Sequence, residues 1–362
     1  MILGIDASQA NRRIRSGTEW YAWHLLQEFK KELATRQNLE IRLYVRDELQ
    51  ADLAENLPAN FKVKILRWPF RFFWGQLRLS LEMFLHPPDV LFCPAHTIPL
   101  VHPQRTYTTL HDVGFEDYPE LYDKLSLWYH RFSAWLAVRK AWHIFTVSEF
   151  SKERIIENYT CDQDRISVTH LGIAPYFSAE KFQSIVEKYD LEAKNYILYI
   201  GRIEPKKNIL NMIEAYKIAA ADTPRNDDFP KFVIVGRKLM DLPEVSGIKL
   251  LDYIEEDEKW ALLAGAKMFL FTTMYEGFGL PILEAQVVGT PVITSNTASN
   301  PEIAGDGAVL AHPDSPHEIA KAIKLINADD NLRQGKIRLG LENIKRFSWQ
   351  TTARQTLDKL LS

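Results

Sequence analysis

Residues 268–289 read MFLFTTMYEGFGLPILEAQVVG, and they decide the fold. The apolar run Met268–Thr272 has the length and composition of a buried strand. Two glycines follow it, Gly277 and Gly279, and then a helical pattern with Pro281 in its first turn and Gly289 at its C-terminal cap. Strand, glycine-rich turn and helix in that order make a unit of a parallel sheet.

The same alternation runs along nearly the whole chain. Its first half has strand-like runs at Ile2–Asp6, Ile41–Val45, Val63–Leu66, Val90–Cys93, Thr106–His111, Ile144–Ser148 and Ile166–His170. After residue 172 the pattern pauses. It restarts with Tyr196–Gly201, Phe232–Gly236, Ile248–Leu251, Met268–Thr272, Pro291–Thr294 and Ala308–Ala311. These runs are apolar almost throughout rather than alternating, as strands covered on both faces are. Amphipathic stretches such as Ala22, Leu25, Leu26, Phe29 and Leu33 separate them. The expectation is an α/β protein of two doubly wound domains facing each other, 1–172 and 173–347. Residues 348–362 read as a helix that packs back on the first domain.

Composition narrows the function. The 362 residues are 46% hydrophobic and 25% charged, which excludes disorder. Lys+Arg 44 against Asp+Glu 47 leaves a charge of -3, so no basic field points to nucleic acid. Cys93 and Cys161 form no metal-binding pattern, and a reduced, cytoplasmic protein is the simple expectation. An acid at Asp6 interrupts any signal-peptide core, and no long uncharged stretch reads as a membrane span. No GxGxxG follows the first strand, which argues against a dinucleotide dehydrogenase. The nearest helix-opening glycine there is Gly17.

Ligands of doubly wound sheets sit beyond the carboxyl ends of the strands. Around Phe278–Ile282 the helix start offers backbone amides and a positive dipole end to phosphate. Glu276 and Glu284 flank those amides, ready to accept hydrogen bonds from sugar and ribose hydroxyls. The segment Gly201-Arg202-Ile203-Glu204-Pro205-Lys206-Lys207-Asn208 follows another strand. Its Arg202 and Lys207 suit a pyrophosphate, and would stabilise the charge on a departing nucleoside diphosphate. His111, beside Asp112, ends a strand of the first half, where it can contact a sugar or be oriented by Asp112. Asp162-Gln163-Asp164 has DxD spacing but precedes a strand, so no metal site is expected there.

Glu276 through Glu284, with GFGLP between, is the EX7E signature, and the chain resembles the retaining GT-B glycosyltransferases of family GT4, the glycosyl transferases group 1. The GRIEPKKN turn, His111-Asp112, Val147–Ser151 and Asn300–Asp306 match the family in the same order along essentially the whole chain. The resemblance implies a GT-B fold, two Rossmann-like domains across a cleft, the first for acceptor and the second for nucleotide sugar. It implies Arg202 and Lys207 on the diphosphate, and Glu284 on the ribose. Glu276 with the main chain of Gly277, Phe278, Gly279 and Leu280 would hold the sugar and phosphates. Tyr253 would lie at the base, and His111 near the reacting carbon. The family's glycine pair before the first helix is Ser16-Gly17 here, with Gly17 expected at donor phosphate or acceptor. Transfer with retention, by same-face attack, and no metal or cofactor are further implications.

The EPKKN turn is similar to that of bacterial mannosyltransferases of O-antigen and polysaccharide assembly, which favours GDP-mannose as donor; rhamnosyl and glucosyl enzymes look alike. Lys62–Leu81 interleaves Lys62, Lys64, Arg67, Arg71 and Arg78 with Trp68, Phe70, Phe72, Phe73 and Trp74, and holds no acid. Such a surface suits anionic headgroups at the inner face of the plasma membrane and a polyprenyl-diphosphate-linked glycan acceptor. The competing arrangement buries those aromatics in the first domain. Two competing functions are a nucleotide-sugar 2-epimerase and a non-catalytic sugar-nucleotide-binding subunit of a glycan-assembly complex.

Overall fold

The computed structural model describes all residues except 37, 71, 175–178 and 222–228. Arg71, one cation of the basic aromatic run, therefore lies outside the described residues. The chain forms two compact units, Met1–Gly172 with Ser348–Ser362, and Ile173–Phe347.

In the first unit seven parallel strands, β1 Ile2–Asp6, β2 Glu40–Val45, β3 Phe61–Ile65, β4 Val90–Cys93, β5 Thr106–Thr109, β6 His143–Thr146 and β7 Ile166–Val168, lie in the order β3-β2-β1-β4-β5-β6-β7. The second has β8 Tyr196–Ile200, β9 Lys231–Val235, β10 Ile248–Leu251, β11 Met268–Phe271, β12 Val292–Ser295 and β13 Ala308–Ala311, ordered β10-β9-β8-β11-β12-β13. All its neighbours are parallel too. Strand order reverses between β1 and β4 in one sheet and between β8 and β11 in the other. Those switch points open crevices at the carboxyl edge. The GRIEPKKN turn leaves β8 and the glycine loop leaves β11, so both segments flank the same crevice.

The sheets are apolar on both faces because helices cover both. Tyr196, Ile197, Leu198, Phe232, Val233, Ile234, Phe269 and Leu270 are fully buried. Polar β5 is buried as well, and its hydroxyls are satisfied: Thr108 Oγ1 donates to Cys93 O at 3.0 Å, and Thr109 Oγ1 meets Tyr21 Oη at 3.0 Å. The strand ends at Thr109, so His111 stands two residues beyond it rather than at its last position. Asp162 caps a short 3-10 turn, its Oδ1 accepting from Asp164 N at 3.0 Å ahead of β7.

The C-terminal helix Trp349–Leu361 packs on the helix Gly17–Leu33 of the first unit. Trp349 stacks on His24 with ring centroids 4.5 Å apart. A Cβ on Gly172 would lie 2.1 Å from Trp349 N, so only glycine allows the chain to pass there. No described helix is long and apolar enough to cross a membrane.

Candidate functional site

The loop after β11 is held open from below. Its Met274 N donates to Lys206 O at 3.0 Å, which ties it to the GRIEPKKN turn. Asn208, in the left-handed region at φ +61°, donates through Nδ2 to Thr272 O at 2.8 Å and Pro313 O at 2.7 Å. Ser299 is fully buried, with its Oγ 2.9 Å from Glu276 O and 2.8 Å from Phe278 O. One hydroxyl thus turns two carbonyls inward along the loop. Asn300 Nδ2 adds a bond to Ser295 Oγ at 2.6 Å. Gly279 then starts the helix Leu280–Val287 at φ +97°, where a Cβ would lie 3.0 Å from Asn300 Oδ1. Phe278 is buried edge-on against Phe347, at 5.9 Å, so only its main chain faces the crevice. Gly289 closes the helix at φ +71°, as its position in the sequence implies.

Each carboxylate of the EX7E pair carries a lysine. Lys207 Nζ donates to Glu276 Oε1 at 2.6 Å, and both side chains are only 14% exposed. Lys259, on the helix Glu256–Gly265, donates to buried Glu284 Oε1 at 2.8 Å. Burial draws the Lys259 ammonium down, but Glu284 and Glu256 outweigh it and hold the group above its ordinary range. One oxygen of each glutamate is taken by lysine, which leaves Oε2 to accept hydroxyl protons. Sequence reasoning missed Lys259 and Ser299. Lys259 ends the acidic run 255–258, whose only local meaning is a helix start.

Arg202 does not join Lys207: it is exposed, with Nη2 3.5 Å from Glu204 Oε1. Tyr253, just past β10, is 74% exposed. In the first unit, Gly17 is the first residue of its helix, behind the capping box of Ser16 and Glu19. A Cβ there meets nothing within 4 Å, so the unit's own packing does not require glycine at this position.

His111 is buried, its Nε2 3.1 Å from Pro94 O, and it meets the Tyr21 ring edge-on at 4.6 Å. A carbonyl partner assigns the proton to Nε2 and leaves Nδ1 an acceptor. Asp112 does not bond this ring; its Oδ1 accepts from Gly114 N at 2.9 Å and shapes the next turn. Burial, with His96 beside it, pulls the imidazole down to about 3, against the Pro94 carbonyl and Asp112. The folded chain thus binds this proton less readily than the unfolded one. Stability from His111 is complete above pH 6.5 and is lost as pH falls toward 3, by about 2 kcal/mol between pH 7 and 5. Denaturant titrations at both pH values should show His111→Asn losing correspondingly less on acidification.

Ser299→Ala leaves two carbonyls without their shared donor. A donor KM raised about tenfold is expected, from the 1–3 kcal/mol cost of buried unpaired acceptors. Initial-rate kinetics with the donor check this. Among the described residues, no three His, Cys, Asp or Glu side chains group as a metal site.

Comparison with known proteins agrees with this anatomy. Residues 15–176 match the sequence model described as Glycosyltransferase Family 4, and residues 181–338 that of Glycosyl transferases group 1. The chain is 33% identical over 267 residues to O-antigen chain mannosyltransferase B of Escherichia coli, covering 70% of each chain. It is 28% identical over 285 residues to O-antigen chain mannosyltransferase RfbU of Salmonella typhimurium, covering 76% of this chain and 74% of that one. Among solved structures, WaaG, a glycosyltransferase involved in lipopolysaccharide biosynthesis, superposes with a TM-score of 0.72 at 14% identity, over 99% of both chains. Anabaena HepE bound to UDP and glucose gives 0.72 at 17% identity, again over 99% of both. These structures share the GT-B fold of two parallel-sheet α/β domains. With both halves matched in order and a relative at this identity, the chain belongs to the glycosyl transferases group 1, family 4, and is a GT-B glycosyltransferase.

Proposed function

We propose that the protein transfers mannose from GDP-mannose to a hydroxyl of a lipid-linked glycan, with retention at the anomeric carbon and no metal, in O-antigen or related polysaccharide synthesis. The observation that carries this reading is the pair of lysine-held glutamates, Lys207–Glu276 and Lys259–Glu284, at the ends of one glycine loop. The mannosyltransferase names of the E. coli and Salmonella relatives support the sugar.

In this reading the second unit holds the donor. Lys207 and Arg202 take the diphosphate, and Glu284 accepts from the ribose hydroxyls through Oε2. Glu276 and the Gly277–Leu280 main chain hold the sugar, while the exposed Tyr253 marks the base. The first unit takes the acceptor, with Gly17 at the loop edge, and His111 accepts a hydroxyl proton of the reacting sugar at Nδ1. These two cations supply the charge that a metal would otherwise provide to the departing diphosphate. The ion pair on Glu276 favours a binding role over that of a covalent nucleophile, which supports same-face attack.

Residues 62–81 supply the membrane contact at the inner face of the plasma membrane. Their aromatics divide: Trp74 is buried and Trp68 half-buried, whereas Phe70, Phe72 and Phe73 are exposed. Exposed rings in the same segment as exposed Lys62, Lys64 and Arg67 support anionic-lipid binding.

The test incubates the chain with GDP-α-mannose, a prenyl-diphosphate-linked mannosyl glycan and EDTA, and assigns the new linkage by NMR. An α-mannoside is expected. A β-linkage refutes retention, and a requirement for added manganese refutes metal independence. Donor inverted at C2 without acceptor indicates an epimerase; donor binding with neither transfer nor hydrolysis indicates a non-catalytic subunit.

A further inference from the structure

The first unit contains a cleft of about 990 Å³ at the β1/β4 switch point, none of whose lining residues belongs to the donor machinery. Its walls differ in chemistry. Its polar lining includes Asp6, the last residue of β1, then Gln9, Arg12 and Arg13 on the loop that follows, and Arg46 just past β2. Phe72, Phe73 and Trp74 line the same cleft.

The arginines are not equivalent. Arg15 is locked onto Asp52 at 2.5 Å beneath Trp20 and Trp23, and takes no part in the cleft. Arg46 is fixed by Trp68 O, with its Nη2 at 3.3 Å. Arg12 is exposed and only loosely paired, 3.4 Å from Glu19. Arg13 is exposed and makes no ion pair among the described residues. Two exposed guanidiniums without a tight ion pair thus line a polar pocket, and a guanidinium fork matches phosphate oxygens. Asp6 keeps one oxygen on Ser8 N at 3.0 Å, and its other oxygen suits a sugar hydroxyl.

The aromatic part of the lining is built under strain. Phe73 sits at φ +63°, a conformation that bulky residues avoid, and opens a π-helical turn, Trp74–Leu79. The result turns two large rings outward: Phe72 is 66% and Phe73 60% exposed. Beyond them Leu77, Leu81 and Phe84 are exposed too, spaced as one helix face. Trp74 anchors this element, buried with its Nε1 2.7 Å from Leu66 O. A cleft for a free sugar phosphate needs no such exposed rings, and one for a plain lipid needs no arginines in its lining.

Starting from the lipid-linked acceptor of the proposed function, we propose that this cleft seats a glycosylated lipid phosphate. Its sugar next to the phosphate lies on Asp6 and Gln9, its phosphates on Arg12 and Arg13, and its hydrocarbon leaves over Phe72 and Phe73. The same cleft would then set acceptor specificity by reading the phosphate and the first stretch of lipid together.

Calorimetric titration of the full chain with farnesyl diphosphate tests this, with farnesol and inorganic pyrophosphate as separate arms. All four side chains are exposed, so their variants should fold. The expected result is binding of farnesyl diphosphate that weakens at least tenfold in Arg12→Ala/Arg13→Ala and in Phe72→Ser/Phe73→Ser, and persists in Lys207→Ala. Pyrophosphate and farnesol should each bind at least tenfold more weakly than farnesyl diphosphate. Binding that survives both double variants, or that Lys207→Ala abolishes, overturns the assignment. Pyrophosphate binding as tightly as the prenyl compound overturns it in favour of a free-phosphate site. The acceptor reading fails separately: transfer to a phosphate-free mannoside as efficient as to its prenyl-diphosphate form refutes lipid-linked acceptance, even where the cleft binds as expected.

Discussion

Lys207→Ala should lower kcat/KM for the nucleotide-sugar donor by at least two orders of magnitude, mainly through a raised donor KM. Two effects add. In the proposed reading the ammonium bonds the donor's diphosphate in the ground state as well as on departure, and a hydrogen bond between charged groups contributes about 3 kcal/mol. The substitution also strips Glu276 of a partner at 2.6 Å in surroundings where both side chains are only 14% exposed. An uncompensated charge there costs about 3 kcal/mol or more. Glu276→Ala should instead reduce kcat, because the proposed function sets its free oxygen against the reacting sugar. In the double variant the losses should be less than additive, since both singles break one pair. Steady-state kinetics and thermal melts of the three variants measure this. Near-wild-type kinetics for both Arg202→Ala and Lys207→Ala would contradict the diphosphate assignment.

Gly236→Ala should cost about 3 kcal/mol or more, although only a single methyl is added. Gly236 follows β9 at φ +144°, and a Cβ there would stand 1.9 Å from Gly201 O. Neither side can retreat easily, because Gly201 N donates to Val235 O at 3.0 Å and Gly236 N to Leu251 O at 3.0 Å. Relief requires moving the exit of β8, where the GRIEPKKN turn begins. For a unit of this size the melting temperature should fall by about 6–12 °C, and donor affinity should fall with it. An unchanged melting temperature would mean that the two turns are not packed as described.

What was legible in the sequence follows from what is local. Among the described residues the thirteen strands lie where the apolar runs place them, because a parallel sheet buried on both faces leaves continuous signatures that no tertiary contact need supply. Gly279, Pro281 and Gly289 fix the start and end of the helix that bears Glu284 for the same reason. The partners of the site are not local. Lys259 reaches Glu284 across 25 positions, and Ser299 reaches the glycine loop across more than 20. A lysine and a serine have ordinary meanings in their own neighbourhoods. Asp112 misled in the opposite direction: adjacency suggested a partner for His111, yet its carboxylate serves the backbone of Gly114. The aromatic run 68–74 split between core and surface because a π-helical turn, absent from any periodicity, rotates Trp74 inward and its neighbours outward.

The most direct test of the central claim, that the lysine-held glutamates around the glycine loop form the donor site, is a thermal-shift titration. GDP-mannose, UDP-glucose, UDP-GlcNAc, dTDP-rhamnose and GDP are compared on the wild-type chain, Lys207→Ala and Glu284→Ala, in EDTA. A ligand that binds only the folded chain must raise its melting temperature. The account predicts a shift with GDP-mannose and GDP that is strongly reduced in both variants. A shift of the same size in wild type and both variants would contradict it.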